Sequence, residues 1–452
     1  MHTHHVHSTS HLLSSGYQPV AEESTLLDLP VRGRLPAQLD GTFLRIGPNP
    51  LHGHDPALDH SFAGDAMVHG LRLRGGRVEW YRNRWLRTDR VTRAFGELPT
   101  PGPRHGLSDN ANAHVVHHAG RTLALGDGGV LPAQLGPELD TVARIDFEGT
   151  LPAGFGGHPV EDPLTRELYA VAYEPGRPGV DYLALDAVGR VRHHANISVK
   201  GTPMMHAFSL TDRHAILYDL PVTFSADAAA SGARVPYAWD EGHGARIGVL
   251  PRDGGDADVL WMEVTPCFVF HPVNAYERGH EVVVDVIRHE RAFDRDPLHP
   301  SESVPVLWRW TVDRLAGTVT ESQLSSRVAE FPRIDERYTG SPYRYAFAVG
   351  MRPGHGAALA GPSILRHDLL TGRIDCHDLG HGRESGEAVF VPRDATAPEG
   401  DGWLLSLVHD PVRDRGELVV LDTADFTGPP VAVVPLPVRV PHGFHSQWIA
   451  SS

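Results

Sequence analysis

EVVVDVIRH (281–289) and PVLWRWTVD (305–313) decide how the chain is read. Each is short, rich in β-branched and aromatic residues, and bounded by turn-forming residues, which is the signature of a strand. Runs of the same kind recur outward in both directions: RVEWYRNRW (77–85), RTLALGD (121–127), ELYAVAYE (167–174), HAILYDLPV (214–222), GWLLSLVHD (402–410) and ELVVLDTA (417–424). The 47 glycines and 37 prolines are spread through all 452 residues and leave little room for long helices. The fold class is therefore all-β. No break in composition divides the runs, so residues 21–452 are expected to form a single domain. A chain of this length built from short strands points to a β-propeller, which reaches such sizes by repeating blades around an axis. No repeat shows in the sequence itself, so the number of blades does not follow from periodicity. Residues 1–20, MHTHHVHSTSHLLSSGYQPV, read as a polar, disordered, His-rich tail. Its His2, His4, His5 and His7 could collect a metal adventitiously, but a solvated arm accounts for them.

The formal net charge is −15, with no basic cluster set against it. A nucleic acid or an anionic membrane surface would be repelled, so nucleic acid is excluded as a partner. Two cysteines, Cys267 and Cys376, are too few for a disulfide framework and fit a reducing cytoplasm. No basic segment followed by an apolar run opens the chain, and no run is long and apolar enough to span a bilayer. A cytoplasmic protein with at most peripheral membrane contact is expected.

Nucleotide-binding loops, a nucleophile elbow and the HExxH metal motif are all absent. Histidine is abundant, at 30 residues, and most of these are ordinary surface or strand positions. Four have unusual settings: His158 in GGHPVEDP, His206 in PMMHAFSL, His271 in CFVFHPVNAYE and His445 in VPHGFHSQWI. Their spacings are far wider than those of zinc fingers or helical histidine pairs. In a propeller, however, the innermost strand of each blade faces the axis, so ligands from four blades can converge there. Neutral imidazoles suit Fe, Cu, Ni or Zn, and carboxylates behind them would supply the missing negative charge. The alternative is a metal-free set of axial core histidines bonded to carboxylates. His52, His54 and His60 in LHGHDPALDH read as a solvated loop, and His117, His118 and His442 as bystanders.

Beyond these histidines, the segments GTFLRIGPNP (41–50), HSFAGDAMVHG (60–70), DNANAHVVHHAGRTLAL (109–125), EFPRIDERY (330–338) and GEAVFVPR (386–393) occur in order. Together they resemble the carotenoid cleavage oxygenase family along nearly the whole ordered length. The resemblance implies a seven-bladed β-propeller with a loop-and-helix dome over the metal face. It implies Fe(2+) on His158, His206, His271 and His445, with Glu330, Glu387 and Asp127 as the carboxylates behind them. Members of the family use O2 to split a carbon–carbon double bond of a small hydrophobic alkene into two carbonyl products, without an organic cofactor. Arg45, Asp65 and Asn274 also match family motifs and read as supports of the fold.

Departures from the family pattern fall close to the expected iron. Asp127 stands where Glu is usual, and so short a side chain is expected to reach its histidine only through water. Ala113 replaces a threonine whose side chain lies against an open iron position in related proteins. Gly157, Ala207, Ser446 and Ala66 replace the usual Ala, Asp, Gly and Gly. Gly126 occupies the place of a lysine that grips phenols in stilbene-cleaving relatives, which favours an apocarotenoid or similar linear polyene. Cleavage of a stilbene or phenylpropenoid by the same chemistry is the alternative. A redox-neutral isomerase or hydrolase and a repurposed, non-catalytic propeller are the readings from other classes.

Overall fold

The structure, a computed structural model, describes residues 15–51, 62–106, 108–295, 302–352 and 359–451. His2, His4, His5 and His7 of the N-terminal segment, and His52, His54 and His60, lie outside the described residues. All eight runs read as strands are strands. Two of them, Glu281–Arg288 and Val306–Asp313, pair antiparallel with each other. Glu281–Arg288 is buried on both faces along nearly its whole length, because a blade's interior strand is sandwiched between neighbouring blades. That is why its apolar run is broken inside the strand only by Asp285, itself buried and paired with Arg309. Outer strands such as Val191–Ile197 instead alternate half-buried and exposed residues.

Among the described residues the strands form seven antiparallel sheets arranged as propeller blades, together with a separate hairpin of Val222–Phe224 and Tyr237–Trp239. In chain order, the innermost strands of the second to sixth blades are His114–His118, Val160–Glu161, Ser209–Leu210, Pro272–Arg278 and Ala329–Arg333. The first and seventh blades are built from both ends of the chain. Ser446–Ala450 adds to Gly41–Pro48 as the inner strand of the first blade, and Arg32–Gly33 pairs with Ala432–Pro435 in the seventh. The interface between these two blades is apolar, with Phe43, Leu71 and Tyr81 packed in one cluster with Trp403, Leu405 and Leu418.

Residues 15–20, the inner end of the expected tail, lie against this body. Tyr17 Oη accepts a hydrogen bond from Leu359 N at 2.9 Å, and Asn49 brackets Val20 through both its N–H and its carbonyl. Arg45 and Asn274 support the fold as expected. Arg45 is buried and donates to the Pro441 carbonyl, and Asn274 ties down the 338–341 turn. The expected dome is a helix, Asp89–Phe95, with the loops around it and the 222–239 hairpin. Thr88, Arg90, Ser108, Asn110 and Arg234–Tyr237 of these segments roof a cavity above the axis. Among the described residues no helix is long and apolar enough to cross a membrane.

Candidate metal centre

The four singled-out histidines share one structural position. His158, His206, His271 and His445 each lie just ahead of the innermost strand of a blade: the third, fourth, fifth and first, respectively. There the chain turns inward onto the axis, so side chains far apart in sequence meet. The His158 ring centroid lies 4.1 Å from that of His206, 4.7 Å from His445 and 5.7 Å from His271. His271 lies 4.8 Å from His445 and 5.3 Å from His206. The remaining three blades bring the carboxylates: Asp127 from the second, Glu330 from the sixth and Glu387 from the seventh. Each of the seven blades thus contributes one of these seven side chains.

Each carboxylate backs a different imidazole. His271 Nδ1 donates to Glu330 Oε2 at 2.6 Å, and His445 Nδ1 donates to Glu387 Oε1 at 3.0 Å. Glu387 Oε2 also accepts from Ser446 N at 2.6 Å, and Arg333 lies 3.8 Å from Oε1. Asp127 Oδ2 lies 2.8 Å from His206 Nδ1, so the shorter side chain reaches its histidine directly and needs no bridging water. That separation corrects the expectation of a water bridge, and glycine at 157 leaves room for the carboxylate, whose Oδ1 a Cβ there would meet at 2.6 Å.

Local strain aims Glu330 and its neighbour. Successive strand residues normally point to opposite faces. Phe331 sits at φ 53°, where the pairing with Tyr345–Gly350 is irregular, and its N–H is 2.6 Å from Glu330 Oε2. A left-handed aromatic residue costs on the order of 1 kcal/mol. The kink lets both side chains serve one imidazole: Glu330 bonds its Nδ1, and the Phe331 ring stacks on it at 5.0 Å with the planes 29° apart.

Electrostatics match a metal site. Burial, reinforced by repulsion from His158, His271 and His206, holds His445 well below its ordinary range; His158 is lowered by burial and then by His206. Neutral imidazole is the form that binds a metal. Burial alone would raise Glu330 and Asp127, but Glu330's contacts with His271 and His289, and Asp127's with His206 and His158, outweigh it and keep both carboxyls well below the usual range. Nε2 of His158 and of His271 are buried without a hydrogen-bond partner, and ligand atoms of His158, His271 and His445 lie within 4.8 Å of one another. A second such set is Asp127, His158 and His206. A cation on the axis would satisfy those orphaned nitrogens, so the residues present fit one.

Above the histidines lies a cavity of about 520 Å³. Its wall is largely aromatic and apolar, with Phe62, Tyr173, Met204, Phe270, Phe331 and Phe444 prominent. Several site residues escaped the sequence reading. His289 bonds Glu330 at 2.7 Å, and His114 places its ring 5.1 Å from His445. Arg333 and Phe331 lie inside the quoted EFPRIDERY without having been given a role. The only signal for His289 was its place at the end of the apolar run EVVVDVIRH. The bystanders have other partners: His442 lies 3.3 Å from Glu384, His118 3.3 Å from Glu161 and His117 3.3 Å from Thr122.

Fold and site together define a class, the β-propeller enzymes with an axial histidine cluster on the floor of an apolar cavity. The family model for Retinal pigment epithelial membrane protein matches residues 17–450. A carotenoid cleavage oxygenase of Mycobacterium tuberculosis is 44% identical, covering 95% of this chain and 95% of its own. Among solved structures, the lignostilbene dioxygenase of Pseudomonas brassicacearum superposes with TM-score 0.88 at 28% identity, over 98% of this chain and 99% of its own. A cobalt-substituted apocarotenoid oxygenase of Synechocystis superposes with TM-score 0.88 at 29% identity and the same coverage. The chain belongs to this family, that of the carotenoid cleavage oxygenases, and is an oxidoreductase of the dioxygenase type.

Proposed function

We propose that the protein is an Fe(II)-dependent dioxygenase that cleaves a carbon–carbon double bond of an apocarotenoid or similar conjugated alkene, one atom of O2 going to each of two carbonyl products. The observation that carries this reading is the convergence of His158, His206, His271 and His445 from four blades, two of them with buried, unpartnered Nε2 atoms. Four neutral nitrogen donors suit a ferrous ion and leave coordination positions open. Bound there, iron would supply the O2 chemistry that amino-acid side chains lack. Asp127, Glu330 and Glu387 hold the imidazoles in orientation and balance the charge of the ion. Phe62, Phe270, Phe331 and Phe444 line the space above the histidines, where they bind an apolar chain and exclude water. The enzyme is read as cytoplasmic, with at most peripheral contact with a membrane.

Support for a polyene comes from what the cavity offers. Among the described residues no lysine lines it. Gly126 could not carry one without movement, since a Cβ there would lie 2.9 Å from both Ala111 Cα and the Asn110 carbonyl oxygen. A stilbene is the second reading, favoured by Tyr173 and Tyr237, which line the cavity with ring centroids 5.9 Å apart and offer hydroxyls to a phenol.

The test is product analysis by mass spectrometry, with Fe(II)-loaded protein under isotope-labelled O2 and a linear apocarotenal or a hydroxystilbene as substrate. Two labelled carbonyl products, with faster turnover of the apocarotenal, are expected. Faster turnover of the stilbene would reverse the substrate ranking, and cleavage without O2 would overturn the reaction. Single replacement of any of the four histidines by Ala should sharply lower iron content and turnover. Full iron retention by two of these variants would remove the metal assignment.

A further inference from the structure

We propose that His289 is a positioning residue for the metal centre, clamping Glu330 from the side away from His271 and so fixing the orientation of the His271 imidazole. The inference rests on the four-histidine reading above. Glu330 is buried, and each of its oxygens is taken. Oε2 accepts from His271 Nδ1 at 2.6 Å and from Phe331 N at 2.6 Å, while Oε1 accepts from His289 Nε2 at 2.7 Å. A carboxylate held at one oxygen can still swing about its side-chain bonds. Held at both, its plane is set, and the direction of the His271 Nδ1–H bond is set with it.

The clamp is itself well braced. His289 follows Glu281–Arg288, the strand that pairs with Pro272–Arg278, so His289 and His271 emerge at the same end of two neighbouring strands of the fifth blade. Both reach across to a carboxylate of the sixth. The His289 backbone exchanges two 2.8 Å hydrogen bonds with Phe268, and its ring meets the edge of Phe270 at 5.1 Å. The Phe270 ring in turn lies 5.5 Å from His206. His289 and Phe270 both line the cavity, so one contact chain runs from the cavity wall through Glu330 to a metal-facing imidazole.

The other two carboxylates are held differently. The second oxygen of Glu387 is taken by a backbone N–H, and Asp127 Oδ1 is buried without a hydrogen-bond partner. Of the three, Glu330 alone has a different imidazole on each oxygen, whereas both histidines near Asp127 face its Oδ2, His206 at 2.8 Å and His158 at 3.7 Å. With the His289 donor removed, a buried oxygen loses its partner and the carboxylate is free to turn away from His271.

Cobalt(II) serves as the probe, since its visible absorption reports ligand geometry. It is titrated against a chelator into metal-free wild type, His289→Phe and His289→Gln, with thermal unfolding of each metal-free protein alongside. His289→Phe should bind cobalt about tenfold more weakly, with shifted absorption bands. His289→Gln, which keeps an N–H donor, should recover most of the affinity and the wild-type bands. A Phe variant that melts lower when metal-free, yet binds cobalt with wild-type affinity and spectrum, would make His289 merely structural and overturn the inference. If the Phe variant does not fold, nitrogen-15 histidine NMR of wild type decides. The His289 Nε2–H resonance should move on zinc loading, because both imidazoles share Glu330, and an unmoved resonance overturns the inference. Wild type that takes up no metal removes the four-histidine reading and this one with it. Wild-type uptake with an unaffected Phe variant removes only the role of His289.

Discussion

Gly157 has no room for a side chain, since a Cβ there would lie 2.6 Å from Asp127 Oδ1 and 3.3 Å from Ala113 Cβ. Three departures that look separate in the sequence, Ala113, Asp127 and Gly157, are therefore one packing unit beside the axis. Gly157→Ala drives a methyl group against the carboxylate that backs His206. Fe(II) affinity, measured by chelator competition, should fall about tenfold, in the range seen when a partner of a ligating histidine is disturbed. Unchanged affinity would mean that Asp127 yields without losing His206. Ala113 holds the blade position that the four histidines hold in theirs, directly ahead of the second blade's inner strand, and it lines the cavity. Ala113→Thr adds a hydroxyl and a methyl there. Nitric oxide binding to the Fe(II)-loaded protein should weaken or change its paramagnetic resonance signature. An identical signature would assign the departure to neutral drift. The four histidines stood out by their segments and the three carboxylates by the family resemblance, and the fold brings all seven together at the axis. His289, Arg333 and the Gly157–Asp127 contact were not legible, because their partners lie on other blades and only the assembled axis brings them together.

Strands buried between blades were the legible elements, since burial on both faces leaves continuous apolar runs. The sixth blade was nearly silent. Its strands Tyr345–Gly350, Ser363–Asp368 and Arg373–Asp378 bury polar residues such as Asp368, Asp375 and His377, which blur the apolar pattern. His367 on Ser363–Asp368 is one of these buried polar residues, with Nε2 lacking a hydrogen-bond partner. Burial, then the nearby Arg327, pushes its pKa down to about 4. The unfolded chain binds that proton near pH ~6.5. As pH falls from there, the unfolded state gains a proton that the folded state refuses. The stability contribution is complete above about 6.5 and is lost progressively towards about 4, on the order of 3 kcal/mol in all. His367→Leu removes this dependence. Its Tm should fall less than that of wild type between pH 6.5 and 4, and parallel curves would show that the imidazole charges without resistance.

The ring is closed twice. The C-terminal strand Ser446–Ala450 completes the first blade, and the N-terminal Arg32–Gly33 extends the seventh, so the two ends of the chain lock one apolar interface from opposite sides. His445 stands directly ahead of the closing strand, so the site and the closure share a segment. Gly41 is where they can be tested together. A Cβ there would lie 2.4 Å from Trp448 Cζ2 and 2.5 Å from the Ile449 carbonyl oxygen, both on the closing strand, so only glycine lets the two strands approach. Gly41→Val should cost about 1–3 kcal/mol, as overpacking does in well-filled interiors. Because the displaced strand carries His445 and the N–H of Ser446 that holds Glu387, iron affinity should fall with stability. Thermal unfolding of the metal-free protein and chelator competition on the loaded one check the two effects separately. A lowered Tm with wild-type iron affinity would show that His445 is held by Glu387 and its own blade neighbours alone, and that ring closure and metal binding are mechanically independent.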